Sequence, residues 1–357
     1  MACAALRKAV FVAGLLFLVG CLPDDMPAYI NDGKTIVAKA NGALWTYDVA
    51  TGKATSHRLR DAGGVRSARM IGDQIWTQWG PDGNGIVRSF DPLKGEFLEH
   101  KEAWVYEAIP ASYEGQKCVV RPPDARGRTR YSFYTFPELK ELETGVNVKE
   151  VVAAGGFRWV AITVAADRAG SLELGQVEVF SQEGKHVVTV QHDEAQKMKF
   201  TGGRGDFRTT QGGRVNYARL NDDEKVLLLA FGNRGHFTFG VFDTTDGKFL
   251  WGGRTECPLR GNPVVKRAEA WSLEGANGEE IALIRHTAGD KPAEGKRETV
   301  LKYAGMYGEY NSSPDGSMFV IARDGQPPRL LFIPIREGVT ANDVKVVELT
   351  NQESTPR

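Results

Sequence analysis

The chain has 357 residues, of which 41% are hydrophobic and 25% are charged, a composition typical of a globular protein. Its 45 basic and 45 acidic side chains balance, so net charge gives no reason to expect nucleic acid or an anionic membrane surface as a partner. The 41 glycines predict many turns.

The first twenty residues have the pattern of a secretion signal. Arg7 and Lys8 form a basic segment, and residues 10–19 form an apolar segment that is too short to span a bilayer comfortably. We therefore assign residues 1–20 to a leader that is removed, and we leave them out of the fold prediction.

Residues 18–21, Leu-Val-Gly-Cys, resemble the lipobox of bacterial lipoproteins. This resemblance implies cleavage before Cys21, acylation of its thiol and stable membrane anchoring by more than one acyl chain. The alternative is an ordinary secretion signal with an incidental cysteine. Leu22 after the cysteine implies, through the family's sorting rule, the outer membrane, with the domain facing the periplasm or the cell surface. Residues 21–27 then form a lipidated tether.

Seven short segments rich in branched and aromatic residues follow, and each predicts a β-strand. They are residues 35–38, 74–79, 118–121, 157–164, 226–231, 281–284 and 318–322. Helix signals are nearly absent. Hairpin turns such as Asn41-Gly42, Asp82-Gly-Asn-Gly85, Asp124-Ala-Arg-Gly127 and Asp324-Gly325 come soon after four of the segments.

A second turn, which we call the anchor turn, recurs after these hairpins and restarts the chain with Lys or Glu. Its fullest copy is Val241-Phe-Asp-Thr-Thr-Asp-Gly-Lys-Phe-Leu-Trp251, and weaker copies lie at 47–53, 90–96, 136–141, 180–185 and 332–338. Glycine supplies positive φ, and aspartate supplies a local bond from its side chain to the backbone.

The repeat length selects the architecture. The first anchor positions, Asp48, Asp91, Pro137 and Ser181, lie 43, 46 and 44 residues apart, and seven units over residues 28–350 average about 46 residues. This spacing predicts an all-β fold, a seven-bladed β-propeller, with a polar tail at residues 351–357.

Two irregularities keep six or eight blades open. The next step, to Asp243, is 62 residues long, and we assign the excess to the Gly-rich residues 201–213. The sixth unit is the least regular, because Leu301-Lys-Tyr303 is not followed by an anchor turn.

The anchor turn at residues 243–251, with residues 48–53 as a partial copy, resembles the repeat of PQQ-like and WD40-like β-propellers. The PQQ-like family includes quinoprotein dehydrogenases and a lipoprotein subunit of the β-barrel assembly machine. The resemblance implies a propeller fold, in which tryptophans such as Trp251 dock neighbouring blades. It speaks for fold far more than for function.

Catalytic and metal signals are weak. Quinoprotein chemistry requires adjacent cysteines, which the sequence lacks, so we predict no PQQ and no other cofactor. The six histidines lack zinc-site spacing, and His186 with His192-Asp-Glu194 fits a strand end and loop. The oxygen-rich residues 82–85 and 221–224 fit turns rather than calcium loops. We predict no catalytic residue and no metal site.

Arginine, tryptophan and tyrosine recur just before the apolar strands, where the innermost strand of each blade would line the central channel. These residue types are enriched at binding hot spots, although they also fill the interfaces between blades. The candidates are Arg66, Arg69, Trp104, Tyr106, Arg214, Tyr217, Arg219, Arg267, Trp271 and Tyr310. They favour a binding or scaffold module for protein or peptide partners; the alternative is a propeller hydrolase or lyase with its site at the funnel mouth.

Two cysteines follow Cys21. Cys118 lies in the third unit and Cys257 follows the fifth anchor turn, so their strands would not touch in a propeller. A disulfide requires Cα atoms within about 7 Å. We therefore predict two free thiols, with Cys118 buried as a small apolar residue, although an oxidising compartment would favour a bridge.

Overall fold

A computed structural model of the protein describes most of residues 26–350. The residues that it does not describe in this range are 60–61, 72–73, 81–85, 100–102, 124–129, 147, 149, 167–171, 192–193, 195–213, 234–235, 257–258, 260, 277–279, 292–294 and 306–308. The leader, Cys21 and the predicted tail at 351–357 also lie outside the described residues.

The strands form seven four-stranded antiparallel sheets, which are the blades. Blade I comprises β1 (Ala28–Ile30), β2 (Thr35–Ala40), β3 (Ala43–Asp48) and β4 (Ala54–His57). Blade II comprises β5 (Val65–Ile71), β6 (Gln74–Trp79), β7 (Ile86–Asp91) and β8 (Glu96–Glu99). Blade III comprises β9 (Ile109–Tyr113), β10 (Gln116–Arg121), β11 (Tyr131–Thr135) and β12 (Glu141–Val146). Blade IV comprises β13 (Glu150–Ala153), β14 (Trp159–Ala166), β15 (Leu172–Phe180) and β16 (His186–Val190).

The remaining blades have the same order. Blade V comprises β17 (Arg214–Asn221), β18 (Val226–Asn233), β19 (His236–Asp243) and β20 (Phe249–Thr255). Blade VI comprises β21 (Val264–Val265), β22 (Glu269–Ala276), β23 (Glu280–Thr287) and β24 (Lys296–Ala304). Blade VII comprises β25 (Tyr310–Ser312), β26 (Met318–Arg323), β27 (Arg329–Pro334) and β28 (Lys345–Glu348). Short 3-10 helices span Ala103–Glu107 and Ala341–Asp343.

The seven-bladed all-β propeller predicted from the repeat is confirmed. Within each blade the strands pair in chain order, from a first strand near the centre to an exposed fourth strand such as β8 or β28. Six of the seven predicted apolar segments contribute to second strands, which have a neighbouring strand on each edge.

The anchor turns join the third strand to the fourth and have the predicted chemistry. Asp48 Oδ1 accepts a hydrogen bond from the Thr51 amide at 2.7 Å, and this bond is the main reason that the pKa of Asp48 is lowered. Gly247 has a φ of 74°, and a Cβ at this position would lie 2.5 Å from the Thr189 carbonyl oxygen of blade IV. Glycine is therefore required there for both conformation and space.

Each pair of neighbouring blades shares an apolar cluster. The clusters join blades I and II, II and III, III and IV, IV and V, V and VI, VI and VII, and VII and I. Ile36 and Trp45 of blade I pack with Val320 and Leu330 of blade VII in the last of these clusters. Since fully burying such a side chain is worth about 1.5–3 kcal/mol, side-chain packing is a major stabilising contribution between blades.

The ring closes without a shared sheet. Among the described residues, blade I and blade VII are each built from four consecutive strands, and neither contributes a strand to the other. Closure therefore depends on the apolar cluster between blades VII and I and on hydrogen bonds between the hairpins at Asn41 and Asp324.

In blade VI the predicted strand assignment is wrong. Residues 281–284 lie in β23, the third strand, and Leu301-Lys-Tyr303 lies in β24, the fourth. The second strand is β22, which has no continuous apolar run because Ser272 and Glu274 alternate with apolar residues. The connection from β23 to β24 lies at residues 288–295, of which 292–294 are outside the described residues, and Gly295 donates its amide to the Gly252 carbonyl of blade V at 2.9 Å.

The strand order also shows where the long spacing of 62 residues between the anchor positions Ser181 and Asp243 arises. Residues 191–213 connect β16 of blade IV to β17 of blade V, so the extra length falls between blades. The Gly-rich segment at 201–213 itself lies outside the described residues. Its assignment to an interblade connection agrees with the strand order.

Candidate functional site

The strand order gives the propeller two different faces. Because successive antiparallel strands reverse direction, the connections within each blade alternate between the two ends of its sheet. We define the loop face as the face that carries the connections between second and third strands and the connections between blades. The turn face carries the other two hairpins of each blade, including the anchor turns.

Arg66 and Arg69 lie on the innermost strand of blade II, as predicted. Arg66 is exposed, near the loop face. Arg69 is only 6% exposed, and its Nη1 donates to the Tyr106 carbonyl at 2.9 Å. Arg69 therefore connects blade II to the segment that leads into blade III.

Trp104 and Tyr106 lie in the 3-10 helix before blade III rather than on an innermost strand. Both pack against the cluster between blades II and III. The Trp104 ring lies 4.8 Å from the Tyr134 ring, and the Arg121 guanidinium lies 4.8 Å from the Trp104 centroid. These contacts place the two aromatic residues mainly in blade packing.

Blade V contributes Arg214, Tyr217 and Arg219 on its innermost strand, as predicted. The Arg214 side chain lies outside the described residues. Tyr217 donates through its hydroxyl to Asn262 Oδ1 at 3.0 Å. A Cβ on Gly155 would lie 2.6 Å from Arg219 Nη1, so the Arg219 guanidinium lies against the turn that opens blade IV.

The last three candidate binding residues lie in different parts of the propeller. Arg267 lies in the turn before β22, on the turn face, and forms an ion pair with Asp243. Trp271 lies on the second strand of blade VI and is 4% exposed. Tyr310 does lie on an innermost strand, but it is 2% exposed and its ring meets Phe319 edge-on at 5.1 Å.

The structure thus does not bring the ten candidates together into one surface. Innermost strands carry Arg66, Arg69, Arg214, Tyr217, Arg219 and Tyr310, whereas Trp104, Tyr106, Arg267 and Trp271 lie elsewhere. Only Arg66 and Arg267 are exposed among those with described side chains, and they lie on opposite faces.

The loop face holds a cluster that the sequence analysis did not single out. Asn41 of blade I meets the hairpin of blade VII, where its amide donates to Asp324 Oδ1 at 2.5 Å and the Gly325 amide donates to Asn41 Oδ1 at 3.0 Å. Arg58 Nη2 donates to the Asn41 carbonyl at 3.3 Å. Both hairpin turns were recognised in the sequence, but nothing in it showed that they meet.

Positive charge surrounds this contact. Lys39 Nζ donates to the Arg66 carbonyl at 3.0 Å, which extends the contact into blade II. We define the seam cluster as Lys39, Asn41, Arg58, Arg66, Arg323, Asp324 and Arg329. With Glu348, which pairs with Arg329 at 3.1 Å, this surface has five cationic and two anionic side chains.

A small pocket lies in the blade VII part of the seam cluster. It has a volume of about 260 Å³ and is lined by Arg323, Asp324, Gly325, Gln326, Pro327 and Arg329. A Cβ on Gly305 would lie 2.4 Å from Arg323 Nη1, so the Arg323 guanidinium rests against the end of blade VI. The seam cluster therefore borders four consecutive blades.

A second polar group is buried between blades V and VI. Glu274 Oε2 accepts from Arg297 Nη2 and from the Glu256 amide, each at 2.9 Å. His286 Nε2 lies 3.4 Å from Glu274 Oε1 and 3.3 Å from Ser272 Oγ. Burial acts to raise the pKa of Glu274, but its contacts with His286 and Arg297 outweigh burial and hold that pKa below its ordinary value.

This buried group does not have the geometry of a serine hydrolase. Ser272 and Glu274 both approach the same nitrogen of His286, whereas a catalytic relay uses the two ring nitrogens separately. Ser272, Glu274 and His286 are each at most 2% exposed. The arrangement serves the interface between blades V and VI.

The weaker motifs have structural partners. His186 Nε2 lies 2.9 Å from Thr189 Oγ1, and Glu194 Oε2 accepts from the Phe249 amide at 3.0 Å. Asn221 closes the turn at 221–224 through its side-chain oxygen. His192 and residues 82–85 lie outside the described residues. In the part of the chain that the structure describes, no three His, Cys, Asp or Glu side chains are grouped to hold a metal ion.

Trp251 and Cys118 have the predicted environments. Trp251 is 1% exposed in the cluster between blades V and VI, and its Nε1 donates to the Arg267 carbonyl at 2.9 Å. Cys118 is buried and unpaired, and burial raises the pKa of its thiol to about 12. Cys257 lies outside the described residues, so its pairing stays a prediction.

Comparison with known proteins finds a likeness to solved structures only. No family model matches the chain, and no curated protein sequence matches it. Among solved structures, the chain resembles the WD40 repeats of RRP9 at 12% identity, with a TM-score of 0.43 and coverage of 92% of this chain and 95% of that one.

Two further structures show the same likeness. Hsv2 of Kluyveromyces lactis is 12% identical, with a TM-score of 0.46 and coverage of 90% and 98% of the two chains. The tricorn protease is 11% identical, with a TM-score of 0.48, and the match covers 91% of this chain and 34% of that one. At these values the comparisons carry no argument about ligand, partner or activity. No helix within the described residues has the length and hydropathy to cross a membrane.

Proposed function

We propose that this protein is a lipid-anchored, extracytoplasmic β-propeller whose loop face binds a segment of a partner protein. The observation that carries this proposal is the seam cluster. Three consecutive blades, VII, I and II, contribute exposed polar and cationic side chains to one hydrogen-bonded surface.

The construction of this surface suits recognition. Lys39, Arg66, Arg323 and Arg329 lie at or near strand ends, where the sheets fix the backbone, and Arg58 directly follows β4. Contacts held by rigid elements lose less freedom on binding than contacts made by long loops. Arginine is also enriched in protein interfaces, where its planar guanidinium forms several hydrogen bonds.

The anchoring part of the proposal depends on residues 18–21. An acylated Cys21 would be separated from β1 by six residues, so the propeller would lie close to the membrane surface. We expect Cys21→Ser to abolish incorporation of radiolabelled palmitate and to release the protein from the membrane fraction. Undiminished labelling would refute lipidation, and fractionation with the inner membrane would refute the outer-membrane location.

Site-specific photo-crosslinking in the native cell envelope tests the binding face. A photoreactive residue at Gln326, exposed on the loop face, should produce a discrete crosslinked partner protein. The matched control is the same residue at Lys53, which is exposed in the anchor turn of blade I on the turn face. Equal crosslinking from both positions, or none from Gln326, would contradict binding at the loop face.

A further inference from the structure

We infer that the segment bound by the seam cluster is acidic, so that the partner presents a run of glutamate or aspartate side chains. This inference rests on the proposed function and adds the chemistry of the partner. It starts from the imbalance of five cationic against two anionic side chains in and beside the cluster, although the whole chain has no net charge.

Arg58 and Arg323 are the two groups best placed to receive carboxylates. Arg58 is exposed, and its hydrogen bond to the Asn41 carbonyl orients the guanidinium without cancelling its charge. Arg323 rests against Gly305 and lines the pocket. A guanidinium presents paired N–H groups that match the two oxygens of a carboxylate.

The pocket and its surroundings favour a peptide over nucleic acid. The pocket, at about 260 Å³, is smaller than those that usually enclose a whole small molecule, and it suits one side chain of a longer segment. Asp324 and Glu348 stand beside the arginines. A phosphate backbone, whose binding depends on neutralising several successive charges, would meet repulsion from both carboxylates.

Asp324 also determines where a bound segment can carry its charges. Its carboxylate accepts from the Asn41 amide and so fixes the contact between blades I and VII. Arg58 lies on the blade I side of this contact, where it donates to the Asn41 carbonyl, whereas the Arg323 guanidinium lies against Gly305 at the end of blade VI. A bound segment with separated carboxylates could engage both arginines and keep uncharged residues over Asp324. The expected ligand is therefore an acidic peptide with spaced charges.

The test uses the full-length protein in detergent and three fluorescein-labelled probes. These are a ten-residue peptide of alternating Glu and Gly, the same peptide with Gln for Glu, and a ten-nucleotide oligothymidine. We expect the Glu peptide to bind more tightly than the Gln peptide and the DNA, and its affinity to fall with rising salt.

The variant Arg58→Gln/Arg323→Gln should weaken binding of the Glu peptide about tenfold, the effect of losing two charge contacts at the surface. The control Lys34→Gln/Lys53→Gln removes two exposed cations of blade I from the turn face and should change the affinity less than twofold. Arg58→Lys/Arg323→Lys should retain part of the affinity. Circular dichroism melts of all variants report whether folding is preserved.

Several outcomes would overturn the inference. These are no measurable binding of the Glu peptide, equal binding of Glu and Gln peptides, tighter binding of the DNA, or an unchanged affinity in the Gln variant. A partner crosslinked at Gln326 equally well in wild type and Arg58→Gln/Arg323→Gln would overturn the acidic segment while sustaining the proposed function. Absence of any crosslinked partner would count against the proposed function itself.

Discussion

Replacing Glu274 by glutamine should selectively weaken the interface between blades V and VI. The carboxylate accepts from Arg297 and from the Glu256 amide at 2.9 Å, and Oε1 faces His286 at 3.4 Å. A glutamine amide oxygen can still accept from Arg297 and from the Glu256 amide, but the side chain carries no charge. The substitution therefore removes the negative charge that pairs with Arg297, in a site where the Glu274 side chain is 2% exposed.

The expected cost is about 2 kcal/mol at pH 7. A hydrogen bond to a charged group contributes about 1.5–3 kcal/mol, and breaking a fully buried ion pair costs about 3–5 kcal/mol. The lower range applies because Arg297 is 28% exposed and keeps Glu256 as a partner at 3.3 Å. The matched control is Glu280→Gln, which removes an exposed pair with Lys302 and should cost at most about 1 kcal/mol.

The cost should also depend on pH. Since the folded-state pKa of Glu274 is lowered, its carboxylate adds stability above its unfolded pKa of about 4.3 and loses that contribution as the pH falls through the folded value. Urea unfolding followed by tryptophan fluorescence at pH 7 and at pH 3–4 measures both effects. Two results would refute this reasoning: a loss of unfolding free energy in Glu274→Gln no larger than that in Glu280→Gln, or a loss that is as large at pH 3–4 as at pH 7.

Three further predictions concern the core, the insertion and the thiols. Val320→Asp, which places a charge at a fully buried position between blades VII and I, should prevent stable folding, whereas Val346→Asp, at an exposed position of β28, should leave the melting temperature nearly unchanged. Deleting residues 201–213 should also leave the melt nearly unchanged, because added length in an interblade connection costs little; a larger loss than from Val320→Asp would contradict the blade boundaries. Alkylation of the mature chain should label Cys118 and Cys257 under denaturing, non-reducing conditions and spare Cys118 in the folded protein; no label after denaturation would indicate a disulfide.

The sequence by itself determined the architecture, because the information for a blade is local. In six blades the second strand contains an apolar run, and the fullest anchor turns, at Asp48, Asp91 and Asp243, combine an aspartate that binds the backbone with a glycine, so both can be read within a few residues. Blade VI was misread for the same reason. Its second strand faces a polar interface through Ser272 and Glu274, and this requirement arises from the neighbouring blade rather than from the strand itself.

Only the tertiary structure decided which polar residues form a surface. The predicted binding residues are large side chains suited to both packing and recognition, and residue type alone does not say whether Trp271 or Arg66 faces a neighbouring blade or solvent. The seam cluster joins Asn41 to Asp324 across 283 residues of chain, because closure of the ring brings its first and last blades together. Such a contact depends on the number and order of the blades, so it exists only once the whole ring is assembled.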